Sequence, residues 1–156
     1  MVPFDARLVL ILPEPIDASW REALTQLLRI GREQVMGHLD GGADAWRASG
    51  REVRANATAT VKDLAEVYEA EGGSRVVDVR QRDEWDEGHV PGSRHVFLGD
   101  LAKRMADVPR DGDAIVVCRS GNRASIAASL LDRAGIRAVP VTEGGVPDWL
   151  AARRGP

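Results

Sequence analysis

The sequence predicts an α/β fold, with a parallel central sheet covered by helices on both faces. Short apolar runs, bounded by turn residues, alternate along the chain with segments whose apolar side chains recur at helical spacing. The most hydrophobic run, Ala114–Cys118, is apolar throughout, as expected for a strand that is buried on both sides. Because a helix between two strands carries the chain back across the sheet, the strands are expected to pair in parallel.

Residues 1–50 carry four predicted elements. Leu8–Leu12 is a continuous apolar run ended by a proline, which indicates a short buried strand. Asp17 or Ser19 is expected to cap the helix that follows, and Gly31 is expected to end it. The last two predicted elements of this part are a strand at 34–38 and a helix that runs from the Gly41-Gly42 turn through Trp46.

Residues 58–156 carry a longer alternation of strands and helices, after a polar linker at 51–57. Thr60 and Asp63 have the spacing of a capping box, and the helix that they open is expected to end at Gly72. The other predicted elements are, in order, a strand at 75–79, a helical turn at 83–87, a turn-rich segment at 88–95, a helix at 98–105, a loop at 109–113, a strand at 114–118, a helix at 124–134, a strand at 139–141 and a helix at 146–152.

The two ends of the chain repeat one pattern of strand, loop, helix, glycine, strand, double glycine and tryptophan. The double glycines begin at Gly41 and Gly144, and Trp46 and Trp149 follow them at the same spacing. Only the second copy has an upstream half ahead of it, so residues 1–50 are predicted to be half a module. Half a parallel sheet leaves an unpaired edge. We therefore expect this half to pack on its neighbour, to swap into another chain as a dimer contact, or to be the cut end of a longer protein.

Composition limits the classes of function. The formal net charge is −3, which argues against nucleic-acid binding and against attraction to an anionic membrane. The longest apolar run is too short to span a bilayer, and no small-residue cleavage site follows it, so no signal peptide is expected. We therefore expect a cytoplasmic protein. Cys118 is the single cysteine, which excludes an intrachain disulfide and a second, resolving thiol.

The segment Cys118-Arg119-Ser120-Gly121-Asn122-Arg123 lies between the most hydrophobic strand and a well-marked helix. Backbone N–H groups in such a turn can point inward, and the helix dipole adds to their attraction for an anion. The two arginines add positive charge, so a thiol at this place is expected to ionise easily and to be nucleophilic. The alternative is a buried cysteine at the end of a strand that serves only as a small hydrophobic residue.

Three motifs in this order resemble those of the rhodanese family, over about residues 58–152. They are the loop 118–123, the N-terminal segments 77–80, 84–85 and 88–92, and the C-terminal segment 143–149. The resemblance implies a rhodanese-like fold. It also implies a cysteine that takes sulfane sulfur from thiosulfate or a persulfide and gives it to a thiol or to cyanide. No cofactor is implied, and His38, His89 and His95 lack a ligand spacing, so no metal is expected.

The resemblance also implies roles for individual residues. Cys118 is the catalytic residue, Arg119 and Arg123 hold the anionic donor, and the loop amides hold the persulfide. Asp78 and Arg80 either brace the loops around the cysteine or form a purely structural ion pair. Ser120 and Asn122 either contact a bound oxyanion or shape the turn, and Gly121 permits the tight turn. His89 is assigned to the edge of the site, where it packs within its turn more readily than it donates a proton.

Two other functions are open at this point. Four residues separate Cys118 from Arg123, whereas related phosphatase loops have five and usually a histidine before the cysteine, so a phosphatase-like enzyme is disfavoured. The second is a carrier or sensor that holds a persulfide without turnover.

In the first copy of the repeat, Leu12 takes the place of the cysteine, and prolines and carboxylates replace the arginine loop. Residues 1–50 thus resemble the C-terminal half of a degenerate, inactive rhodanese module, a kind found beside metallo-β-lactamase-like domains in longer proteins.

Overall fold

The computed structural model describes residues 5–13, 15–53, 55 and 57–154, which form two compact units of residues 1–54 and 55–156. Each unit has a parallel sheet of its own. Within the described residues, no helix is both long enough and apolar enough to cross a membrane. The role assigned to residues 1–50, as half of an inactive module, stays a prediction.

The larger unit is built on a five-stranded sheet in the order β3-β7-β6-β4-β5, in which every neighbouring pair is parallel. Its strands are β3 (Ala59–Thr60), β4 (Val76–Asp78), β5 (Arg94–His95), β6 (Ala114–Val117) and β7 (Ala138–Glu143). Its helices are α3 (Val61–Glu71), α4 (Arg82–Glu87), α5 (Asn122–Arg133) and α6 (Val146–Arg154). The predicted α/β class with a parallel central sheet is confirmed.

Two hydrophobic cores lie on the two faces of this sheet. Successive residues of a strand point to opposite faces, so Ala114 and Val116 of β6 join one core while Ile115 and Val117 join the other. The first core includes Ala124, Ala127 and Leu131 of α5. The second includes Leu64 of α3 and Val146 and Trp149 of α6. This covering of both faces explains why the central strands are apolar throughout.

The capping box that opens α3 is present. The Thr60 hydroxyl accepts a hydrogen bond from the Asp63 amide at 3.2 Å, and the Asp63 carboxylate accepts one from the Thr60 amide at 2.7 Å. The Thr60 amide is also the main cause of the lowered pKa of Asp63. Gly72 caps the other end, with a φ of 67° that a residue with a side chain rarely adopts.

The helix predicted at 98–105 is wrong. The chain instead makes two single turns of 3₁₀ helix, at Leu101–Lys103 and Met105–Asp107. Arg104 separates them with a φ of −115°, which is outside the helical range. Leu101 is the residue of the first turn that is fully buried, so a single turn is enough to bring it into the core. The strands at 59–60 and 94–95 were not predicted, because two residues are too few to show a period.

The smaller unit contains β1 (Leu8–Leu10), α1 (Ile16–Arg29), β2 (Val35–His38) and α2 (Gly42–Ala48), and its sheet has two parallel strands. The expected cap of α1 is wrong: the N-cap is Pro15, which makes no side-chain hydrogen bond. Proline is suited to a helix start because its φ is fixed and it has no N–H to leave unpaired. Asp17 therefore lies inside the first turn, where its charge still complements the helix dipole.

Two features of the repeat seen in the sequence have similar local geometry in both units. Gly31 and Gly135 follow α1 and α5 with φ values of 72° and 73°, and each amide donates to a carbonyl three residues back at 2.9 Å. A methyl group on Gly42 would lie 2.9 Å from the carbonyl oxygen of Leu12, and one on Gly145 would meet the carbonyl of Cys118. In both copies, the second glycine of the pair therefore packs closely against the backbone at the end of the first strand.

Candidate active site

The cysteine loop occupies the place that the sequence predicts for it, between β6 and α5. Cys118 directly follows β6 at the carboxyl end of a central strand, where ligands of parallel α/β sheets usually bind. Its side chain is 1% exposed and packs against the core that includes Val79 and Ala124. The thiol is thus held inside the domain rather than presented on a flat surface.

One backbone amide points at the sulfur. The Gly121 N–H donates to Cys118 Sγ at 3.1 Å. In the part of the chain that the structure describes, no second amide of the loop makes this contact at hydrogen-bonding distance. The amide lies at the N-cap of α5, so the helix dipole adds to the positive potential at the sulfur. The Gly121 amide and the start of α5 therefore both direct positive potential at Sγ.

Two glycines allow the cysteine loop to turn tightly and to lie close to the neighbouring loop. Gly121 has a φ of 92°, and a methyl group there would lie 2.7 Å from the carbonyl oxygen of Thr142. Gly145 has no room for a methyl group, because the carbonyl oxygens of Cys118 and Arg119 lie against it. The Val146 amide donates to the Cys118 carbonyl at 2.9 Å and ties the two loops together. The double glycine before α6 therefore lets this segment pack directly against the backbone of the cysteine loop.

The two arginines of the loop are in different environments. Arg119 is exposed, and among the residues described it has no ion pair. Arg123 is half-buried and forms a two-point ion pair with Glu84, with Nη1–Oε2 and Nη2–Oε1 distances of 2.5 and 2.8 Å. Glu84 lies on α4, in the motif segment 84–85, and no individual role was predicted for it. Its partner is 39 residues away, so no local spacing could reveal the pair.

The ion pair perturbs both of its members. The hydrogen bonds from Arg123 are the main cause that lowers the pKa of Glu84 to about 2, while burial opposes the change. The same hydrogen bonds are the main cause that raises the pKa of Arg123, and the nearby charges of Glu84, Cys118 and Asp78 act in the same direction. Both groups are therefore charged at neutral pH.

Asp78 and Arg80 form a second ion pair, which is buried. Asp78 is 0% exposed and Arg80 is 4% exposed. The guanidinium donates to both carboxylate oxygens, with Nε–Oδ1 and Nη2–Oδ2 distances of 3.0 and 2.7 Å, and Nη2 also donates to the Gly88 carbonyl at 2.7 Å. Asp78 is the register partner of Val117, the residue before Cys118. The pair therefore lies at the same end of the sheet as the cysteine; its role in bracing the loops stays a prediction.

The remaining residues assigned to the site lie at its edge. His89 stacks on Trp85 with ring centroids 3.7 Å apart, and its Nδ1 is 3.0 Å from the Trp85 carbonyl oxygen. These contacts are those of a residue that packs within its turn. Ser120 and Asn122 are exposed, so their side chains are accessible to a ligand. Among the residues described, no three side chains of the types that bind metals are grouped together.

A cleft of about 400 Å³ opens beside Glu84, between α4 and α6. It carries both charged and apolar side chains, and its lining residues are Arg80, Glu84, Glu87, Gly88, Pro147, Leu150 and Ala151. Because Arg80 and Glu84 belong to the two ion pairs described above, the cleft adjoins the network of charges around the cysteine loop.

Residues 60–152 match the rhodanese-like domain family. YtwF of Bacillus subtilis is 34% identical over 98 residues, a match that covers 63% of this chain and 91% of that protein. The thiosulfate sulfurtransferase GlpE of Pseudomonas aeruginosa is 34% identical over 79 residues, which are 51% of this chain and 72% of GlpE. The match to YrkF of Bacillus subtilis, at 31% identity over 74 residues, covers 47% of this chain and only 40% of that longer protein.

Solved structures show the same relationship. A rhodanese-related protein from Thermoplasma volcanium superposes with a TM-score of 0.54 at 27% identity, covering 62% of this chain and 92% of its own. The rhodanese-like domain of an Anabaena protein superposes with the same TM-score of 0.54 at 26% identity, covering 63% of this chain and 76% of its own. The match to the family model covers more than half of the chain, so the chain belongs to the rhodanese family through the domain at residues 60–152.

Proposed function

We propose that this chain is a sulfurtransferase that carries sulfane sulfur as a persulfide on Cys118. Family membership supports a role in sulfur transfer, and the relative GlpE is named a thiosulfate sulfurtransferase. The observation that carries the proposal is the Gly121 amide, which donates to Cys118 Sγ at 3.1 Å from the start of α5. A sulfur held in this way is stabilised as an anion, and both the thiolate and the persulfide are anions in this reaction.

The proposed reaction is a double displacement. The Cys118 thiolate attacks the outer sulfur of thiosulfate, the sulfur–sulfur bond of the donor breaks, and its electron pair leaves with sulfite. The exposed Arg119 attracts the anionic donor, and the loop amide stabilises the charge on the cysteine sulfur. An external thiolate or cyanide then attacks the terminal sulfur of the persulfide and releases the Cys118 thiolate. A glutathione persulfide can replace thiosulfate as the donor, in which case the thiolate of glutathione leaves in place of sulfite.

The acceptor must come from outside the chain. Cys118 is the single cysteine in the sequence, so no second thiol of this chain can take the sulfur from it. A lone, unpaired cysteine also suits a reducing compartment, and we propose the cytoplasm. Because the Cys118 side chain is only 1% exposed, we propose small donors and acceptors that can enter the loop rather than a protein surface that must reach the sulfur.

The substitution Cys118→Ser tests the proposal. The protein is incubated with thiosulfate or glutathione persulfide, intact mass is measured, and steady-state transfer to cyanide is followed. The wild type should gain the mass of one sulfur atom and turn over, while Cys118→Ser should do neither and keep its far-UV circular dichroism. Transfer retained by the folded Cys118→Ser variant would refute the proposal.

A carrier or sensor that does not turn over is the second candidate. Its support is the relative YrkF, which has a sulfur-carrier name, together with the enclosed position of the sulfur. The same experiment separates the two functions. A carrier would gain one sulfur atom on Cys118 at a rate like that of an enzyme, but its steady-state transfer to cyanide or to a free thiol would be negligible.

A further inference from the structure

We propose that Glu84 is a positioning residue for the cysteine loop: by holding Arg123 in a two-point ion pair, it fixes the Gly121 amide against Cys118 Sγ. This inference rests on the proposed function and assigns separate tasks to the two arginines of the loop. Arg119 remains free to attract the donor, and Arg123 acts through the fold.

The first step is the geometry of the pair. Two parallel N–H···O contacts between a guanidinium and a carboxylate define an orientation as well as a distance. Glu84 is itself held in place, because its Oε2 also accepts the Gln81 amide at 3.2 Å. The side chains of Arg123 and Glu84 are 27% and 21% exposed, so water screens this pair less than an ion pair on the open surface.

The second step is the path from the pair to the sulfur. Arg123 lies in the first turn of α5, and Gly121 is the N-cap of that helix. The Ser125 amide and hydroxyl both donate to the Gly121 carbonyl, at 2.9 and 3.0 Å. Fixing Arg123 therefore fixes the whole first turn, and with it the amide of Gly121 that faces Cys118 Sγ at 3.1 Å.

The third step concerns charge. The Glu84 carboxylate neutralises the Arg123 guanidinium and occupies two of its donors. An anionic donor therefore meets little net charge from this pair, whereas the exposed Arg119 keeps its full charge. Loss of Glu84 should thus lower the rate of the reaction more than it weakens donor binding, because positioning acts on the reacting sulfur itself.

The test compares Glu84→Gln with Glu87→Gln in the full chain. Glu87 lies on the same short helix and is exposed at the edge of the cleft, which has no part in the proposed reaction, and it has no ion pair or hydrogen bond among the described contacts. We expect Glu84→Gln to lower the rate of persulfide formation at saturating thiosulfate about tenfold, with the thiosulfate KM changed by less than about threefold. Glu87→Gln should match the wild type in both quantities.

A second readout does not depend on sulfur transfer. The alkylation rate of Cys118 by iodoacetamide, a neutral probe, is measured on its high-pH plateau, where the thiol is fully ionised. If the ion pair holds the loop closed over the buried sulfur, Glu84→Gln should be alkylated roughly threefold or more faster than wild type. A substitution that only destabilised the fold would lower Tm, but it would not both speed up alkylation and slow down sulfur transfer.

Each outcome decides a separate question. A wild type that is alkylated but never gains sulfur would refute the proposed function, and the alkylation comparison would still test the positioning role. If Glu84→Gln matches Glu87→Gln in both readouts, or changes only KM, Glu84 is not a positioning residue. Should Glu84→Gln fail to fold, Arg123→Lys keeps the charge but loses the two-point geometry, and the same opposite changes are expected.

Discussion

At the scale of single residues, the site depends on the close approach of two loops. Gly145 lies directly against the carbonyl groups of Cys118 and Arg119, and the Val146 amide beside it donates to the Cys118 carbonyl at 2.9 Å. The obstructing atoms belong to the backbone, which cannot move aside as a flexible side chain can. The conformation of the cysteine loop is therefore limited by the space at one glycine.

We predict that Gly145→Ala costs more than about 2 kcal/mol of folding free energy and greatly reduces persulfide formation, because the new methyl group must push the loop aside. Gly135→Ala is the matched control: it has a φ of 73°, but nothing lies within 4 Å of the added methyl group. Its cost should be that of backbone strain alone, about 1 kcal/mol, with activity retained. Urea unfolding and intact mass after thiosulfate treatment check both. Equal losses in the two variants would contradict the role of space at Gly145.

Arg119 should affect donor binding rather than folding. We predict that Arg119→Gln raises the thiosulfate KM several-fold with little change in Tm, because an exposed guanidinium interacts with an anion but supports no packing. The effect should diminish as salt concentration rises, since salt screens exposed charges. Arg133→Gln, at the other end of α5 and also exposed, is the control and should leave KM unchanged. A salt-independent change in KM would argue against this electrostatic role.

The residues of the site were not equally predictable. The loop 118–123 has a local spacing and a strand and helix on either side, so its place in the fold followed from the sequence. The Glu84–Arg123 pair joins residues 39 apart, and only the packing of α4 near α5 brings them together. The sequence placed Cys118 at the end of a buried strand, but it did not identify the core side chains that surround the sulfur there.

At the scale of elements, the predicted helices and strands were confirmed where apolar residues formed a continuous run or recurred at regular spacing, or where a capping box marked the start of a helix. Strand β6 and helices α3 and α5 have continuous apolar runs, regular spacing or a capping box, and the structure has all three. The short strands β3 and β5 each contain two residues, and their pairing with distant strands creates them. The helix at 98–105 failed for a related reason: burial of one leucine needs a turn, not a full helix.

The ion pair between α4 and α5 should make folding stability depend on pH in the acid range. The pKa of Glu84 is lowered from 4.5 to about 2 in the folded chain, so its contribution is fully present above about pH 4.5 and is lost as pH falls toward 2. We predict that Glu84→Gln lowers stability at neutral pH by roughly 1 to 3 kcal/mol.

The difference in stability between Glu84→Gln and the wild type should shrink as the pH falls through this range, because protonation of the wild-type carboxylate removes the same interaction. Urea unfolding at a series of pH values measures it, with Glu87→Gln as the control that removes a carboxylate from the same helix. A difference that stays constant down to pH 2 would mean that Glu84 has no such lowered pKa in the folded protein.

At the scale of the whole molecule, the two units differ in how much they bury. Residues 55–156 have two cores around a five-stranded sheet. Among the described residues of 1–54, Gly42 is the one buried residue, because a two-stranded sheet covers little apolar surface. The large exposed apolar side chains of this unit are Val9, Ile11, Leu28, Ile30, Met36, Trp46 and Val53. We propose that a partner covers them, either a second copy of this chain or the upstream half of a module in a longer protein beside a metallo-β-lactamase-like domain.

These differences predict that residues 55–156, expressed alone, fold cooperatively and form the Cys118 persulfide at a rate close to that of the full chain. The reason is that the contacts described for the cysteine loop, from Glu84 to Val146, all lie inside this unit. Residues 1–54 alone should show no cooperative unfolding, because a two-stranded sheet with exposed apolar side chains is too small a core. Urea unfolding and sedimentation velocity of the three proteins check this, and the full chain should associate more than residues 55–156 do. A cooperatively folded, monomeric fragment of residues 1–54 would contradict both the proposed partner and the view that this unit is half of a module.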